Sequence, residues 1–223
     1  MPFSSGLTEL THQAAYEAQA AEYDERTRPY QQWRRQIVDL LPLHSGDVVI
    51  DVGCGTGLCF PMLQERIGPG GRIVGVDMAP DMLSLAARRV SDHRWRNVTL
   101  HLAAVEEVRF PIVADHALFC AVHDVLQSDS AVRNVVSHVR PGGFVVACGG
   151  KWAPPWAVGL NLMVMNTHAP FVRDFAGFDK PWAVLARYVE DMQVFDVAMG
   201  CGYLAVGRVP GGQDAVSPGP ASV

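Results

Sequence analysis

The sequence predicts an α/β protein whose core is a doubly wound, mostly parallel β-sheet of seven strands. Five short apolar runs alternate with helical patterns along the chain, as in successive βαβ units. Two further runs near the C-terminus are joined across Gly200 and Gly202, which predicts an antiparallel hairpin at the sheet edge. The chain has 223 residues, of which 49% are hydrophobic and 18% charged, and this composition is typical of a single globular domain.

The positions of the elements follow from the spacing of apolar residues. Two helices are predicted first, over residues 8–28 and 30–41, separated by Pro29. The five parallel strands are predicted at 47–52, 72–77, 97–102, within 113–122 and at 144–148, with helices at 58–67, 80–90 and 130–139 between them. A helix at 182–188 and hairpin strands at 194–198 and 203–207 complete the prediction.

We expect one domain over residues 1–208. Within it, residues 1–41 form N-terminal cap helices and residues 47–149 form the sheet core. Residues 151–182 interrupt the strand–helix alternation and concentrate Trp, Phe, Met and Pro, so we expect a helical lid beside the core. Residues 209–223 are rich in Pro, Gly and Ser, a composition that predicts a disordered tail.

Charge and cysteine content exclude several functional classes. The formal net charge is −5, so we expect no attraction to nucleic acid. The five cysteines show no C-x-x-C spacing, and we expect neither a metal site nor a disulfide framework. The N-terminus has no signal-peptide pattern, and the longest apolar stretch, 152–165, is interrupted by prolines. We therefore expect a cytoplasmic protein without integral membrane association.

A glycine-rich turn after the first strand is the most informative motif. Asp51 lies near the end of that strand, and Gly53, Gly55 and Gly57 follow at alternate positions, which lets backbone N–H groups approach a ligand. A nicotinamide-binding turn would carry its third glycine at position 58, where this chain has a leucine. Asp77 closes the second strand, at the edge where a carboxylate can hold a ribose diol.

These residues, together with Gly75-Val-Asp77 and Arg140-Pro-Gly-Gly143, resemble the class I S-adenosylmethionine-dependent methyltransferases over residues 47–149. The resemblance implies a Rossmann-like fold and S-adenosylmethionine as cofactor, with S-adenosylhomocysteine as product. It implies that Gly53 and Gly55 face the methionyl end of the cofactor, that Asp51 orients its amino group and that Asp77 binds its ribose. The other cofactor-site residues that it implies are Tyr23, Cys54, Gly57, Met78, Met82, Ala104, Val105, Glu106 and Cys120.

Two parts of that implied site leave alternatives open. Met78 and Met82 would flank the adenine, although Met82 also fits a core position on its helix. Many relatives carry an acid after the third strand, where this chain has Ala104; Glu106, or the backbone of Ala104 and Val105, would take its place. Relatives also lay an N-terminal helix with a Tyr-Asp pair across the cofactor, which here would be Tyr23 and Asp24.

For the acceptor side, His123 is the predicted general base. It follows the fourth strand, at the rim where acceptors bind in this family, and histidine titrates in the useful range. The alternative is that it only lines the pocket. His116 is expected within a strand, and His168, in the lid, is a weaker candidate. The apolar lid side chains either form a pocket for an apolar acceptor or pack on the sheet; they are Trp152, Trp156, Met163, Met165, Phe171, Phe175 and Phe178.

The sequence thus favours a methyltransferase that acts on a small, largely apolar molecule by in-line displacement. Two alternatives remain within the same fold: a cofactor-binding protein that does not transfer methyl groups, and a quinone- or phospholipid-type methyltransferase. A nicotinamide-dependent oxidoreductase is disfavoured by Leu58.

Overall fold

A computed structural model describes residues 22–169, 172 and 174–211. Its seven strands form one sheet in the order β3-β2-β1-β4-β5-β7-β6. All pairings from β3 to β5 are parallel, and β7 runs antiparallel to both β5 and β6. This is the predicted mixed, doubly wound sheet with a C-terminal hairpin, and the fold class is confirmed.

The helices and strands occupy the following positions. The strands are β1 Val48–Val52, β2 Arg72–Asp77, β3 Val98–Leu102, β4 Ala114–Cys120, β5 Val139–Gly150, β6 Glu190–Val197 and β7 Gly202–Arg208. The helices are α1 Gln31–Asp39, α2 Phe60–Ile67, α3 Pro80–Asp92, α4 His123–Gln127, α5 Asp129–Ser137 and α6 Val158–His168. Residues 22–27 form a helical segment before α1.

Apolar clusters cover both faces of the sheet. On one face, α1, α2 and α3 pack against β1 and β2 through residues such as Ile37, Leu63 and Ile73, which are fully buried. On the other face, α4 and α5 contribute Leu126 and Val132 to the second cluster. Strands covered on both faces explain why β1, β2 and β4 appear in the sequence as nearly continuous apolar runs.

The sheet reverses its winding between β1 and β4. From β1 the chain continues outward to β2 and β3, then returns to place β4 on the other side of β1. Ligands of open α/β sheets bind at such a switch point, beyond the carboxyl ends of the strands. The glycine turn after Val52 and the segment after Cys120 therefore belong to one crevice.

Two local predictions differ from the structure. The helix predicted at 182–188 is instead a series of turns that ends in a 3₁₀ turn, Leu185–Arg187. The segment is held by contacts with distant elements, because Gln127 donates a hydrogen bond to the carbonyl of Pro181 (3.0 Å) and Leu185 is fully buried. The fifth strand is longer than predicted, because its pairing with β4 passes from Val139 to Phe144 across an irregularity that contains the predicted Pro-Gly-Gly turn.

Some predictions lie outside the described residues. These are most of the first predicted helix, residues 8–21, the lid residue Phe171 and the tail from residue 212. The predicted domain boundaries and the role of residues 151–182 as a lid stay predictions.

Candidate active site

The turn after β1 is shaped by three glycines in the left-handed region, with φ of 60° at Gly53, 54° at Gly55 and 77° at Gly57. They differ in what surrounds them. A Cβ at Gly53 would meet the Val122 side chain at 2.4 Å, and one at Gly57 would meet the Phe60 ring at 2.6 Å. A Cβ at Gly55 would meet nothing within 4 Å. Gly53 and Gly57 are therefore needed for packing, whereas Gly55 borders open space.

Asp77 fixes the shape of this turn from the neighbouring strand. Its Oδ2 accepts a hydrogen bond from the Gly55 N–H (2.8 Å), and its Oδ1 accepts one from the Ala79 N–H (2.9 Å). A carboxylate has about four lone-pair sites, so each oxygen keeps one for a further donor. Asp77 thus has a structural role beside the ribose-binding role that the resemblance implies.

Asp51 is buried at the end of β1, with 1% of its surface exposed. Its Oδ2 has no hydrogen-bond partner among the described residues. Burial raises the pKa of this carboxyl well above its usual value, and the nearby Cys120 and Asp77 raise it further, while Arg34 lowers it. A buried carboxylate oxygen without a partner is costly, so this atom is a candidate for contact with a ligand cation.

Sequence reasoning missed Arg34 in α1. Only 8% of this arginine is exposed, and its Nη1 donates hydrogen bonds to the carbonyl of Thr27 (3.0 Å) and to Gln31 (3.3 Å). Its positive charge acts on both Asp51 and Cys120. The guanidinium therefore lies at the end of the crevice where the buried carboxylate lies.

The helical segment 22–27 is anchored on the glycine turn by Asp24. Its carboxylate accepts hydrogen bonds from Thr56 Oγ1 (2.9 Å) and from Arg89 (2.6 Å), and Arg89 also donates to the Thr56 carbonyl (2.8 Å). Tyr23 is half-buried; burial raises the pKa of its phenol, and the negative charges of Asp77 and Asp24 contribute. Asp24 thus contacts the turn, whereas the position of the Tyr-Asp pair across the cofactor stays a prediction.

The residues implied around the adenine lie on the β2 and β3 side of the crevice. Met78 is 74% exposed and Met82 is half-buried on α3. Ala104 precedes a 3₁₀ turn, Val105–Glu107, in which the Val105 side chain is buried and Glu106 is exposed. The Val105 side chain packs in the core, so its backbone and the Glu106 carboxylate are what this segment offers to a ligand.

Two of the implied cysteines differ in their surroundings. Cys54 is buried in the glycine turn, where its N–H donates to the Val76 carbonyl (3.0 Å), and burial raises the pKa of its thiol. Cys120 ends β4, half-buried, with its Sγ 3.5 Å from that of Cys148. Hydrogen bonds from Cys148 and Cys59 lower the pKa of Cys120 well below its usual value, and Arg34 lowers it further.

His123 begins α4 and is held by the lid. Its Nε2 lies 2.9 Å from the Ala176 carbonyl, and its ring packs edge-on against Phe178 at 4.7 Å between centroids. Since a carbonyl only accepts, this contact is a hydrogen bond when Nε2 carries the proton. Nδ1 then holds a lone pair, and this buried nitrogen has no partner among the described residues. In this tautomer the buried Nδ1 is the ring nitrogen that carries the lone pair.

The other two candidate histidines, His116 and His168, are held by contacts within the protein. His116 lies within β4, as expected, where it accepts a hydrogen bond from the Phe144 N–H (3.1 Å) and burial lowers its pKa. His168 on α6 packs against Phe178, with ring centroids 5.4 Å apart, and its pKa is lowered by burial and then by His123.

The lid side chains separate into a packed group and an exposed group. Trp152, Phe175 and Phe178 contact one another, with ring centroids 5.0–5.4 Å apart. Trp156 is 83% exposed, and Val158, Leu162, Met163 and Met165 on α6 are also exposed. Packing thus accounts for the aromatic group, while α6 presents an apolar surface.

No cluster of metal-ligating side chains occurs among the described residues. Nor does the described part of the chain contain a helix long and apolar enough to cross a membrane.

Comparison with known proteins identifies a methyltransferase domain in part of the chain. The sequence profile of a methyltransferase domain matches residues 49–143. The chain is 34% identical over 77 residues to aklanonic acid methyltransferase of Streptomyces sp. (strain C5), covering 34% of this chain and 35% of the relative. It is 26% identical over 117 residues to demethylmenaquinone methyltransferase of Symbiobacterium thermophilum, covering 51% and 47%. These alignments span one third to one half of the length of the relatives.

Solved structures extend the likeness to the whole fold. A SAM-dependent methyltransferase from Aquifex aeolicus superposes with a TM-score of 0.59 at 17% identity, covering 86% of this chain and 97% of that one. At this identity the likeness concerns the fold. Together with the profile match, it confirms the resemblance found in the sequence. Residues 49–143 thus match the methyltransferase-domain family, and the fold around them is similar to that of SAM-dependent methyltransferases.

Proposed function

We propose that the protein transfers a methyl group from S-adenosylmethionine to a small, largely apolar acceptor. One observation carries the proposal: Gly55 borders open space and donates its N–H to the Asp77 carboxylate, in the turn that follows the buried, unpartnered carboxylate of Asp51. When bound, the cofactor supplies a methyl group on a positively charged sulfur, which activates it for in-line displacement. The protein's own contribution is then alignment, which is worth effective molarities of ~10⁵–10⁸ M in well-oriented systems.

The charges in the crevice fit the two ends of such a cofactor. Asp51 would accept from its ammonium group and Arg34 would bind its carboxylate, since a buried acid and a buried base at one end of a crevice match an amino-acid zwitterion. Asp77 would accept from the ribose hydroxyls with the lone pairs left free by Gly55 and Ala79. Tyr23 would cover the site from the N-terminal side.

His123 would act as general base toward an acceptor that holds its proton at neutral pH. Its hydrogen bond to Ala176 places the proton on Nε2 and leaves the lone pair on Nδ1. It follows β4 on the same edge of the sheet as the glycine turn. General acid–base catalysis typically contributes ~10²–10⁴ in rate.

The exposed apolar side chains of α6 favour an acceptor that is itself apolar. Val158, Leu162 and Met163 on α6 are exposed, as is Trp156 just before it. Relatives named for aklanonic acid and for demethylmenaquinone act on acceptors of that kind, which gives the quinone-type alternative the same support. Small-molecule acceptors rather than nucleic acids agree with the net charge of −5, and the five free cysteines agree with a cytoplasmic location.

Isothermal calorimetry with S-adenosylhomocysteine tests the cofactor site through Gly55→Ala. We expect binding to be abolished, because the new Cβ enters the space reserved for the ligand. Gly142→Ala is the matched control: Gly142 also has a positive φ (77°) and nothing within 4 Å of its Cβ position, so it shares the backbone strain and should bind normally. Wild-type affinity in the Gly55 variant would refute the site.

Turnover is tested separately, by measuring S-adenosylhomocysteine formation across a panel of apolar phenols, quinols and acids. Production with at least one acceptor supports methyl transfer. Tight cofactor binding without product from any of them would favour the non-methylating alternative, and binding of NAD instead would refute the proposal altogether.

A further inference from the structure

Three cysteines meet beneath α1, beside the proposed cofactor crevice but outside the role assigned to it. Cys120 and Cys148 stand directly opposite each other on the neighbouring strands β4 and β5, with their sulfurs 3.5 Å apart. Cys59, just before α2, hydrogen-bonds to the same sulfur. All three are free thiols. The functional site as described uses none of these contacts.

The geometry permits a covalent bond between two of them. Adjacent strands lie ~4.7–4.9 Å apart, and disulfides join residues whose Cα atoms are ~4.4–6.8 Å apart. Cys120 and Cys148 are paired in register, so their backbone already has a separation compatible with a disulfide. Cys120 is half-buried at the crevice while Cys148 is buried, so a small oxidant reaches Cys120 first.

We propose that Cys120 and Cys148 form a reversible redox modification site, in which hydrogen peroxide oxidises Cys120 and Cys148 then closes a disulfide. In the first step the Cys120 thiolate attacks a peroxide oxygen: the S–O bond forms, the O–O bond breaks, and the departing hydroxide takes a proton to become water. In the second step the Cys148 sulfur attacks that of Cys120: the S–S bond forms, the S–O bond breaks, and a second water leaves with the Cys148 proton. Two thiols are oxidised and one peroxide is reduced.

The surroundings of Cys120 favour its role as the attacking sulfur. Thiolates, not thiols, are the nucleophiles, and they form in electropositive, partly exposed sites. The groups facing Cys120 are the thiols of Cys59 and Cys148 and the guanidinium of Arg34, all of which lower its pKa, whereas burial raises it. The pKa of Cys148, by contrast, is raised well above its usual value, chiefly by its hydrogen bond to Cys120 and by burial. One sulfur is thus equipped to attack and the other to resolve.

Closing the bridge would change the crevice. A bridged Cys120 sulfur can no longer ionise, so it loses its electrostatic interaction with Arg34, which also acts on Asp51. We expect the oxidised protein to bind S-adenosylhomocysteine differently from the reduced protein. This consequence rests on the proposed function, whereas formation of the bridge does not.

The test treats the full chain with equimolar hydrogen peroxide, blocks remaining thiols with an alkylating agent and maps the cysteines by mass spectrometry. We expect the loss of two of five alkylatable thiols, a peptide pair linked through Cys120 and Cys148, and full recovery with dithiothreitol. In Cys148→Ser, dimedone should label Cys120 as a sulfenic acid. Cys201→Ser is the control, since Cys201 lies away from the cluster. Its Sγ donates a hydrogen bond to the Ala198 carbonyl (2.7 Å).

Five thiols retained after excess peroxide, or a bridge that joins any other pair, would overturn the proposal; so would failure of the Cys201 control to form the bridge. Mapping in the wild-type chain decides the matter even if a cysteine variant fails to fold. Calorimetry on the reduced and oxidised protein separates the two proposals. Absence of binding to the reduced protein refutes the cofactor site alone, and equal affinity before and after a mapped bridge refutes only its effect on the crevice.

Discussion

Replacing Asp51 with Asn should make the ligand-free protein more stable and the cofactor complex weaker. The carboxyl is buried with an unpartnered oxygen, and burial raises its pKa well above the usual value. When the pKa of an acid is higher in the folded than in the unfolded state, the folded state binds more protons. Stability therefore falls as pH rises from the unfolded pKa through the folded one. Asparagine does not titrate and escapes this loss.

The magnitude follows from the same linkage. Each unit by which the folded pKa exceeds the unfolded one costs ~1.4 kcal/mol at pH values above both, and the ceiling at pH 7 is about 4 kcal/mol. In a chain of this length a change of 1 kcal/mol shifts Tm by roughly 2–4 °C. Calorimetry with S-adenosylhomocysteine should in turn show binding weakened by ~1.5–3 kcal/mol, the range for a hydrogen bond to a charged group.

Thermal unfolding between pH 4 and pH 8 measures the first effect. We expect Asp51→Asn to exceed the wild type in Tm at pH 7, with a gap that closes toward pH 4 as the wild-type carboxyl becomes protonated in both states. Asp115→Asn is the control, because Asp115 accepts hydrogen bonds from the Val48 N–H (2.8 Å) and from Arg140 (2.7 Å), so its replacement should lower Tm. An Asp51→Asn variant that is less stable at pH 7, with a gap independent of pH, would refute the reasoning.

Three further predictions concern the crevice and the lid. Asp77→Ala should weaken S-adenosylhomocysteine binding by ~1.5–3 kcal/mol and also lower Tm, because the Gly55 and Ala79 N–H groups lose their acceptor; unchanged affinity in the folded variant would rule out the ribose role. His123→Ala should lower kcat by ~10²–10⁴ on a protonated acceptor and remove the acidic limb of the pH–rate profile, whereas a fully active His123→Asn with the wild-type profile would make this residue a pocket wall. Deleting residues 156–175 across a short Gly/Ser linker should preserve cofactor affinity and abolish turnover; affinity lost in a variant with a native circular dichroism spectrum would instead place the lid in the cofactor site.

The sheet could be predicted because short stretches of sequence are enough to identify its strands and turns. Apolar β-branched runs identify β1 and β2, and the glycines after Asp51 fix a turn that only positive φ values allow. The helix predicted at 182–188 was wrong for the opposite reason. Its apolar residues follow a helical spacing, but contacts with Gln127 and burial of Leu185 determine its conformation, and tertiary contacts override propensity.

Arg34 shows a signal that sequence reasoning could have used. It stands three, four and seven positions before Ile37, Val38 and Leu41, which are all buried on the inner face of α1 and the residues after it. A charged residue at such a position must be paired when buried. The sequence does not reveal the groups on which its charge acts. These are Asp51 on β1 and Cys120 at the end of β4, and their proximity to Arg34 depends on where α1 packs on the sheet.

The tautomer of His123 could not have been predicted from the sequence, and it connects the predicted lid with the proposed chemistry. The residue that orients its ring, Ala176, lies 53 positions along the chain and contributes only a backbone carbonyl, so no side-chain pattern marks it. Without that acceptor, either ring nitrogen can carry the proton. Ala176 and Phe178, both from the segment predicted to be the lid, thus fix the tautomer and the position of the ring together. We therefore propose that this segment would orient the proposed base as well as enclose the acceptor.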